Sequence, residues 1–164
     1  MNVILIGNNG AGKSTIANKL YKDGFHIVKE APRGSTKDHE SFATLCLADY
    51  HLVFDRWNVI DRAIYENEYQ HIRFLTPHVR MVNENNIIIY LTNNVIPYDN
   101  KEDDSRSVQR PDYATKQQLD LAYERHVDLL KQLGFIIYHV EVRPDVEETY
   151  NIIKSLISKE GEIK

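Results

Sequence analysis

The sequence predicts an α/β fold: a five-stranded parallel sheet with helices on both faces and a short lid. Three observations predict it. Short, continuous apolar runs alternate along the chain with stretches of helical period. A glycine-rich motif follows the first apolar run and precedes the first helical stretch. The other charged motifs fall just after later apolar runs, where a parallel sheet presents its ligands.

The elements follow in order. Residues 2–6 are short, apolar and rich in β-branched side chains, and Gly7 ends them, so they read as a buried strand. A helix begins near Lys13, with Ile16, Ala17 and Leu20 on one face. After Gly24, residues 25–28 form a second short strand. Residues 31–37 hold Pro32 and Gly34 and read as a loop. Asp38 can cap a helix running to about Ala48, with Phe42 and Leu45 at helical spacing. Residues 50–54 are the third strand, closed by Asp55.

A long helical stretch follows, with Val59, Ala63 and Ile72 facing inward, and Pro77 ends or kinks it. Residues 87–91 are the fourth strand, and residues 93–111 are polar and irregular. Residues 114–133 form a helix with Leu119, Ala122, Val127 and Leu130 on its apolar side, stopped by Gly134. Residues 135–140 are the fifth strand. Pro144 and Asp145 open the last helix, which buries Val146, Tyr150, Ile153 and Ile157.

A chain of 164 residues reads as one domain able to bury its own core. At 42% hydrophobic and 27% charged residues, it has the balance of a soluble globular protein. The net charge of −4 argues against a nucleic-acid partner, which a basic field would attract. The opening apolar run is too short for a secretory leader, and no run approaches the length of a membrane span. Cys46 cannot form an intramolecular disulfide and sits among apolar neighbours, so it reads as core packing in a cytoplasmic protein. The seven histidines show no metal-ligand spacing.

The strongest chemical signal is Gly7-Asn8-Asn9-Gly10-Ala11-Gly12-Lys13-Ser14, followed by Thr15. It fits the phosphate-loop pattern at every fixed position, in the required strand-to-helix context. Glycines let backbone wrap closely around phosphates, and several amide N–H groups then converge on one anion. Lys13 is placed for the β- and γ-phosphates, and Ser14 for Mg²⁺. This motif predicts ATP and Mg²⁺ as co-substrate and metal.

Asp55 and Arg56 close the third strand. The carboxylate stands beside the phosphate loop as a second metal candidate, and the guanidinium can grip an acceptor. Lys29 and Glu30 end the second strand. Glu30 is placed as a general base or metal-water ligand, and the Pro32–Gly34 turn presents Arg33. Arg106 and Arg110 lie in the polar stretch before the long helix. There, residues 99–111 read as a lid whose cations close over the transferred phosphoryl group. Trp57, Tyr65 and Phe42 are candidates for a base-stacking wall.

On these residues the chain resembles the thymidylate kinase and deoxynucleoside kinase branch of P-loop kinases. Its phosphate loop is similar to the G-N-x-x-x-G-K-S-T of deoxynucleoside kinases. The stretch from Glu30 to Thr36 is similar to the E-P-G-G-T turn of thymidylate kinases, with Ala31 inserted. The stretch from Asp55 to Tyr65 resembles their D-R-Y-x-x-S-x-x-A-Y, and Arg106 and Arg110 resemble lid arginines. The chain departs from thymidylate kinases at Asn9, Lys29 and Asp61, and the stretch between Glu30 and Asp55 is shorter than theirs.

The resemblance implies ATP- and Mg²⁺-dependent transfer to a small-molecule acceptor, with Glu30 and Arg56 beside it and the two lid arginines above. A deoxynucleoside monophosphate, thymidylate-like, is the expected acceptor. Charge points the same way: Lys29, Arg33 and Arg56 are more cations than a neutral acceptor requires. Alternatives are a deoxynucleoside or another small hydroxyl compound, a nucleic-acid end or modified base, and an ATP-binding switch that transfers nothing. No guanine-selecting N-K-x-D motif is present. A homodimer is an open possibility for assembly.

Overall fold

The computed structural model describes residues 1–8, 10–29, 43–94 and 115–163. Five strands form one all-parallel sheet: β1 (Asn2–Ile6), β2 (His26–Lys29), β3 (Leu52–Asp55), β4 (Asn86–Thr92) and β5 (Ile137–Glu141). Their order is β2-β3-β1-β4-β5. The parallel sheet with helices on both faces is as the sequence predicts. At its centre, β1 and β4 are almost wholly apolar and buried, as a sheet covered on both sides requires, while the edge strands β2 and β5 are partly exposed.

The core divides at the sheet. Ile4 and Ile6 of β1, with Ile88 and Tyr90 of β4, face one layer. Val3 and Leu5, with Ile87, Ile89 and Leu91, face the other. The first layer is covered by α2 (Asn58–Tyr65), α3 (Gln70–Leu75), α4 (Val79–Asn85) and α5 (Lys116–Gln132). The second is covered by α1 (Lys13–Lys22) and α6 (Val146–Ile163). At the bottom edge, Asn2 Nδ2 donates to Ala48 O and to Asn86 Oδ1, tying β1, β4 and the approach to β3.

Element boundaries differ from the sequence expectation for local reasons. The strand expected at 25–28 begins at His26, because Phe25 folds back to bond Leu20 O and fill the α1 layer. The strand expected from Tyr50 begins at Leu52. His51 adopts φ 56° and stacks on Phe25, while Asn2 Oδ1 accepts from the Tyr50 and Leu52 amides. Residues 135 and 136 lie outside β5, with Phe135 packed into the core.

The helical stretch expected after Asp55 is interrupted at Pro77 as expected, but it is also broken earlier, into α2 and α3. Asn67 takes φ 54° after α2, and Pro77 lies in a 3₁₀ turn, Thr76–His78, between α3 and α4. Arg62 fixes the first break, because its side chain binds Glu66 and Glu68 while its carbonyl accepts from both their amides. Before β3, residues 43–45 are helical and the helix ends there, short of Ala48. Its expected start at Asp38 lies outside the described residues. Cys46 is buried, donates to Ala43 O at 2.9 Å, and has its thiol pushed up to about 12 by burial, which fits a packing role.

Candidate active site

The phosphate loop occupies the crevice beyond the C-terminal ends of β1, β3 and β4, where the chain changes direction across the sheet. Its shape depends on glycine at two positions. Gly12 adopts φ 84° as it leads into α1. At Gly7, with φ 147°, a Cβ atom would stand 2.4 Å from the carbonyl oxygen of Leu91, so only glycine lets β1 leave the sheet this close to β4.

Lys13 is buried at the loop's centre. Its Nζ donates to Gly7 O and Asn8 O, both at 2.6 Å. The Ala11 amide donates to Asn8 O at 3.2 Å. Two outside contacts brace the loop. Asn93, just beyond β4, donates from Nδ2 to Gly10 O at 2.8 Å. Asn8 reaches the other way, donating from its side chain to Lys116 O at 3.2 Å and Asp120 Oδ1 at 3.0 Å on α5.

Parallel pairing of Leu5 with Asp55 sets the end of β3 beside the loop. Ser14 Oγ donates to Asp55 Oδ2 at 2.8 Å. The other carboxylate oxygen, Oδ1, is buried and has no hydrogen-bond partner among the described residues. A buried carboxylate oxygen beside a serine hydroxyl at the entry to α1 is a hard oxygen donor set, and it fits Mg²⁺ or the metal's water shell. Lys29 pairs in register with Asp55 and is exposed at the tip of β2.

Arg56 follows with φ 90°, a conformation disfavoured for a side chain with a Cβ. This turn directs the chain from β3 into α2. Arg56 is half-buried, and its guanidinium lies close enough to Tyr123 to act on the phenol's ionisation. Tyr123 Oη donates to Asp61 Oδ1 at 2.8 Å, and Tyr65 meets the Tyr123 ring edge-on at 6.4 Å. Burial first, and then the Asp61 carboxylate, push the Tyr123 phenol well above its usual range.

The site thus brings together Gly7, Asn8, Gly10, Ala11, Gly12, Lys13, Ser14 and Asp55, with Thr15 exposed on the first turn of α1 and Arg56 beginning the next layer. Trp57 departs from its expected place in a stacking wall. Its ring is fully buried in the core, edge-on to Phe135 at 6.1 Å, because it caps the start of α2 on the inward side. Tyr65 packs against the same core and is only partly exposed. Asn9, Glu30, Arg33, Phe42, Arg106, Arg110 and the expected lid at 99–111 lie outside the described residues.

The sequence reading missed Asn93 and Asp120. Asn93 carried a usable signal, since it stands just past an apolar strand as Asp55 does. Asp120 carried none, because on a helix of mixed polarity it is one of several surface carboxylates.

No protein-family model matches the chain, and no curated protein matches it. Solved structures do. The YorR protein of Bacillus subtilis, in complex with phosphorylated GDP, is similar at 21% identity with a TM-score of 0.67, over 99% of this chain and 98% of that one. Deoxyadenosine kinase from M. mycoides, with products dCMP and a flexible dCDP bound, is similar at 18% identity with a TM-score of 0.62, over 97% and 99%.

The chain has the P-loop kinase fold.

Shikimate kinase from Acinetobacter baumannii, in complex with shikimate, extends the likeness to a non-nucleotide ligand, at 18% identity and a TM-score of 0.52 over 96% and 93%. At these identities the likeness is one of fold, and the chemistry rests on the residues of the site. Among the described residues, no helix is long and apolar enough to cross a membrane.

Proposed function

We propose that this chain transfers a phosphoryl group from ATP to a small acceptor, with a deoxynucleoside monophosphate, thymidylate-like, as the first candidate. One observation carries the reading. Ser14 and Asp55 are joined at 2.8 Å beside a loop whose centre is the buried Lys13 ammonium, and an Asp55 oxygen is left over for a further ligand. In this reading Lys13 exchanges its loop carbonyls for phosphate oxygens, and the loop amides hold the β-phosphate in place. Ser14 and Asp55 would hold Mg²⁺, which would supply positive charge to offset the negative charge of the phosphates. Arg56, with Lys29 and Arg33, would hold the acceptor against the donor's negative charge. Tyr65 and Phe42 would be the aromatic candidates for contact with the acceptor's base, and Trp57, buried in the core, would only support them. Arg106 and Arg110 would complete the transition-state shell. The active unit would be the single domain of residues 1–164, acting in the cytoplasm.

A deoxynucleoside acceptor is the second reading. The similarity to deoxyadenosine kinase over nearly the whole of both chains favours it, as does Glu30, placed by sequence as a base for a neutral hydroxyl.

The test is ATP consumption across nucleosides, their monophosphates and other small hydroxyl compounds, with Lys13→Ala as control. We expect the monophosphates to be the better substrates. Lys13→Ala should keep its circular dichroism and lose turnover by roughly 10²–10³-fold, the usual effect of removing one preorganised charge-stabilising contact. Full turnover in a folded Lys13→Ala protein would remove the phosphate-loop assignment. A preference for nucleosides would replace the first acceptor with the second.

A further inference from the structure

We propose that Asp120, on the second turn of α5, is a positioning residue for the phosphate loop, acting through Asn8; this rests on the phosphotransfer reading above. Asn8 has two jobs at once. Its carbonyl accepts from Lys13 Nζ at 2.6 Å and from the Ala11 amide at 3.2 Å, so it helps define where the ammonium sits and how the loop turns. Its side chain is buried and donates to Asp120 Oδ1 at 3.0 Å and to Lys116 O at 3.2 Å. The peptide that receives Lys13 is therefore held from α5, more than 100 residues away in sequence.

The anchor is rigid. Thr115 Oγ1 accepts from the Gln118 amide at 3.2 Å, and Gln118 Oε1 accepts from the Thr115 amide at 3.0 Å, closing a capping box on the first turn of α5. Lys116 Nζ binds Asp120 Oδ2 at 2.8 Å and fixes the carboxylate plane, leaving Oδ1 for Asn8. Asn93 holds Gly10 O from the end of β4, so two residues that share one cleft of about 330 Å³ brace two successive parts of the loop.

Electrostatics argues that Asp120 serves by geometry. A carboxylate so close to an anion-binding loop opposes phosphate binding, and the Lys116 partner offsets that charge. An uncharged acceptor of the same shape should therefore do the job at least as well. A residue kept only for its ion pair with Lys116 would behave oppositely, since such half-exposed pairs contribute little and both amide and methyl replacements lose them.

The experiment uses the whole chain, ¹⁵N-labelled, with two readouts: the amide resonances of residues 7–15 without nucleotide, and ATP·Mg²⁺ affinity by calorimetry. The variants are Asp120→Ala, Asp120→Asn, Asn8→Ala, the Asn8→Ala/Asp120→Ala double and Lys116→Ala. Asp120→Ala should shift the loop resonances and weaken ATP by about fivefold, the worth of one hydrogen bond. Asp120→Asn should restore both, with ATP bound as tightly as by the wild type or more so. The double variant should bind no more weakly than Asn8→Ala alone. Lys116→Ala, which frees the carboxylate plane and leaves its charge uncompensated, should weaken ATP by about twofold, the worth of a half-exposed pair, and less than Asp120→Ala does. Unmoved loop resonances in Asp120→Ala, an Asp120→Asn protein as impaired as Asp120→Ala, or losses that multiply in the double variant would each overturn the proposal. A wild-type chain that binds no nucleoside triphosphate would refute the phosphotransfer reading instead, and the resonances would still decide the brace.

Discussion

Asp55 shows how much can hang on one side chain. One oxygen takes the Ser14 hydroxyl, and the other is buried with no partner among the described residues. Asp55→Asn keeps the shape and removes the charge a divalent cation needs. The variant should fold and bind metal-free ATP about as well as wild type, while its Mg²⁺ activation curve moves to much higher concentration. A Mg²⁺ titration of turnover checks this, and an unchanged curve would exclude the metal role. Glycine makes a second residue-scale case. Gly7→Ala meets both a positive φ and a carbonyl oxygen at 2.4 Å, whereas Gly12→Ala meets the positive φ alone, with nothing within 4 Å. Gly7→Ala should therefore cost more stability, by roughly 1–3 kcal/mol beyond the Gly12→Ala cost. Denaturant midpoints at equal slope measure the difference, and equal losses would show that β4 gives way.

Among the elements, α2 and α5 are joined by polar groups inside an otherwise apolar layer. Tyr123 and Asp61 are both buried, and their 2.8 Å hydrogen bond crosses between the two helices behind Arg56. Asp61 Oδ2 already has no hydrogen-bond partner among the described residues. Tyr123→Phe would strip the second oxygen as well, which should destabilise the fold by about 1–3 kcal/mol, the usual penalty of a desolvated polar group left unmade. Since α2 carries Arg56 at its entry, the same variant should change acceptor KM more than ATP KM. Urea unfolding and substrate titrations test the two halves. A fully stable variant would mean that water replaces the phenol. The broken helix after β3 belongs to this scale too. Its periodicity was readable from Val59, Ala63 and Ile72, but the break at Asn67 was not, because the Arg62 contacts that fix it form only after the chain has turned.

For the whole molecule, phenols couple stability to alkaline pH. Burial, and then the carboxylates of Asp120, Glu124 and Asp128, push Tyr90 up to about 12. A hydrogen bond to Glu160 pushes Tyr138 up to about 12, and burial raises Tyr123 and Tyr150. Each is protonated in the folded chain over a range where the unfolded chain has begun to ionise. Above about pH 10 the unfolded state therefore binds fewer protons, and stability falls as pH rises. Unfolding midpoints should be flat from pH 8 to about 10 in this respect and drop steadily toward 12. Tyr90→Phe should flatten part of that drop, and an unchanged slope would show that Tyr90 does not contribute.

The sequence by itself determined the fold class, the five strands and the phosphate loop. Central strands buried on both faces are apolar almost throughout, and the glycine-rich turn from β1 into α1 has no substitute for glycine where φ is positive and β4 is close, so both leave local marks. It also placed Asp55, since a carboxylate closing a buried strand stands out. The tertiary structure alone decided the rest. It set the strand order that lays Asp55 against Ser14, withdrew Trp57 into the core, and brought Asn93 and Asp120 to the loop. These depend on contacts between residues far apart in the chain, where periodicity and local motif carry no information, and packing chooses among many polar side chains that look alike in sequence.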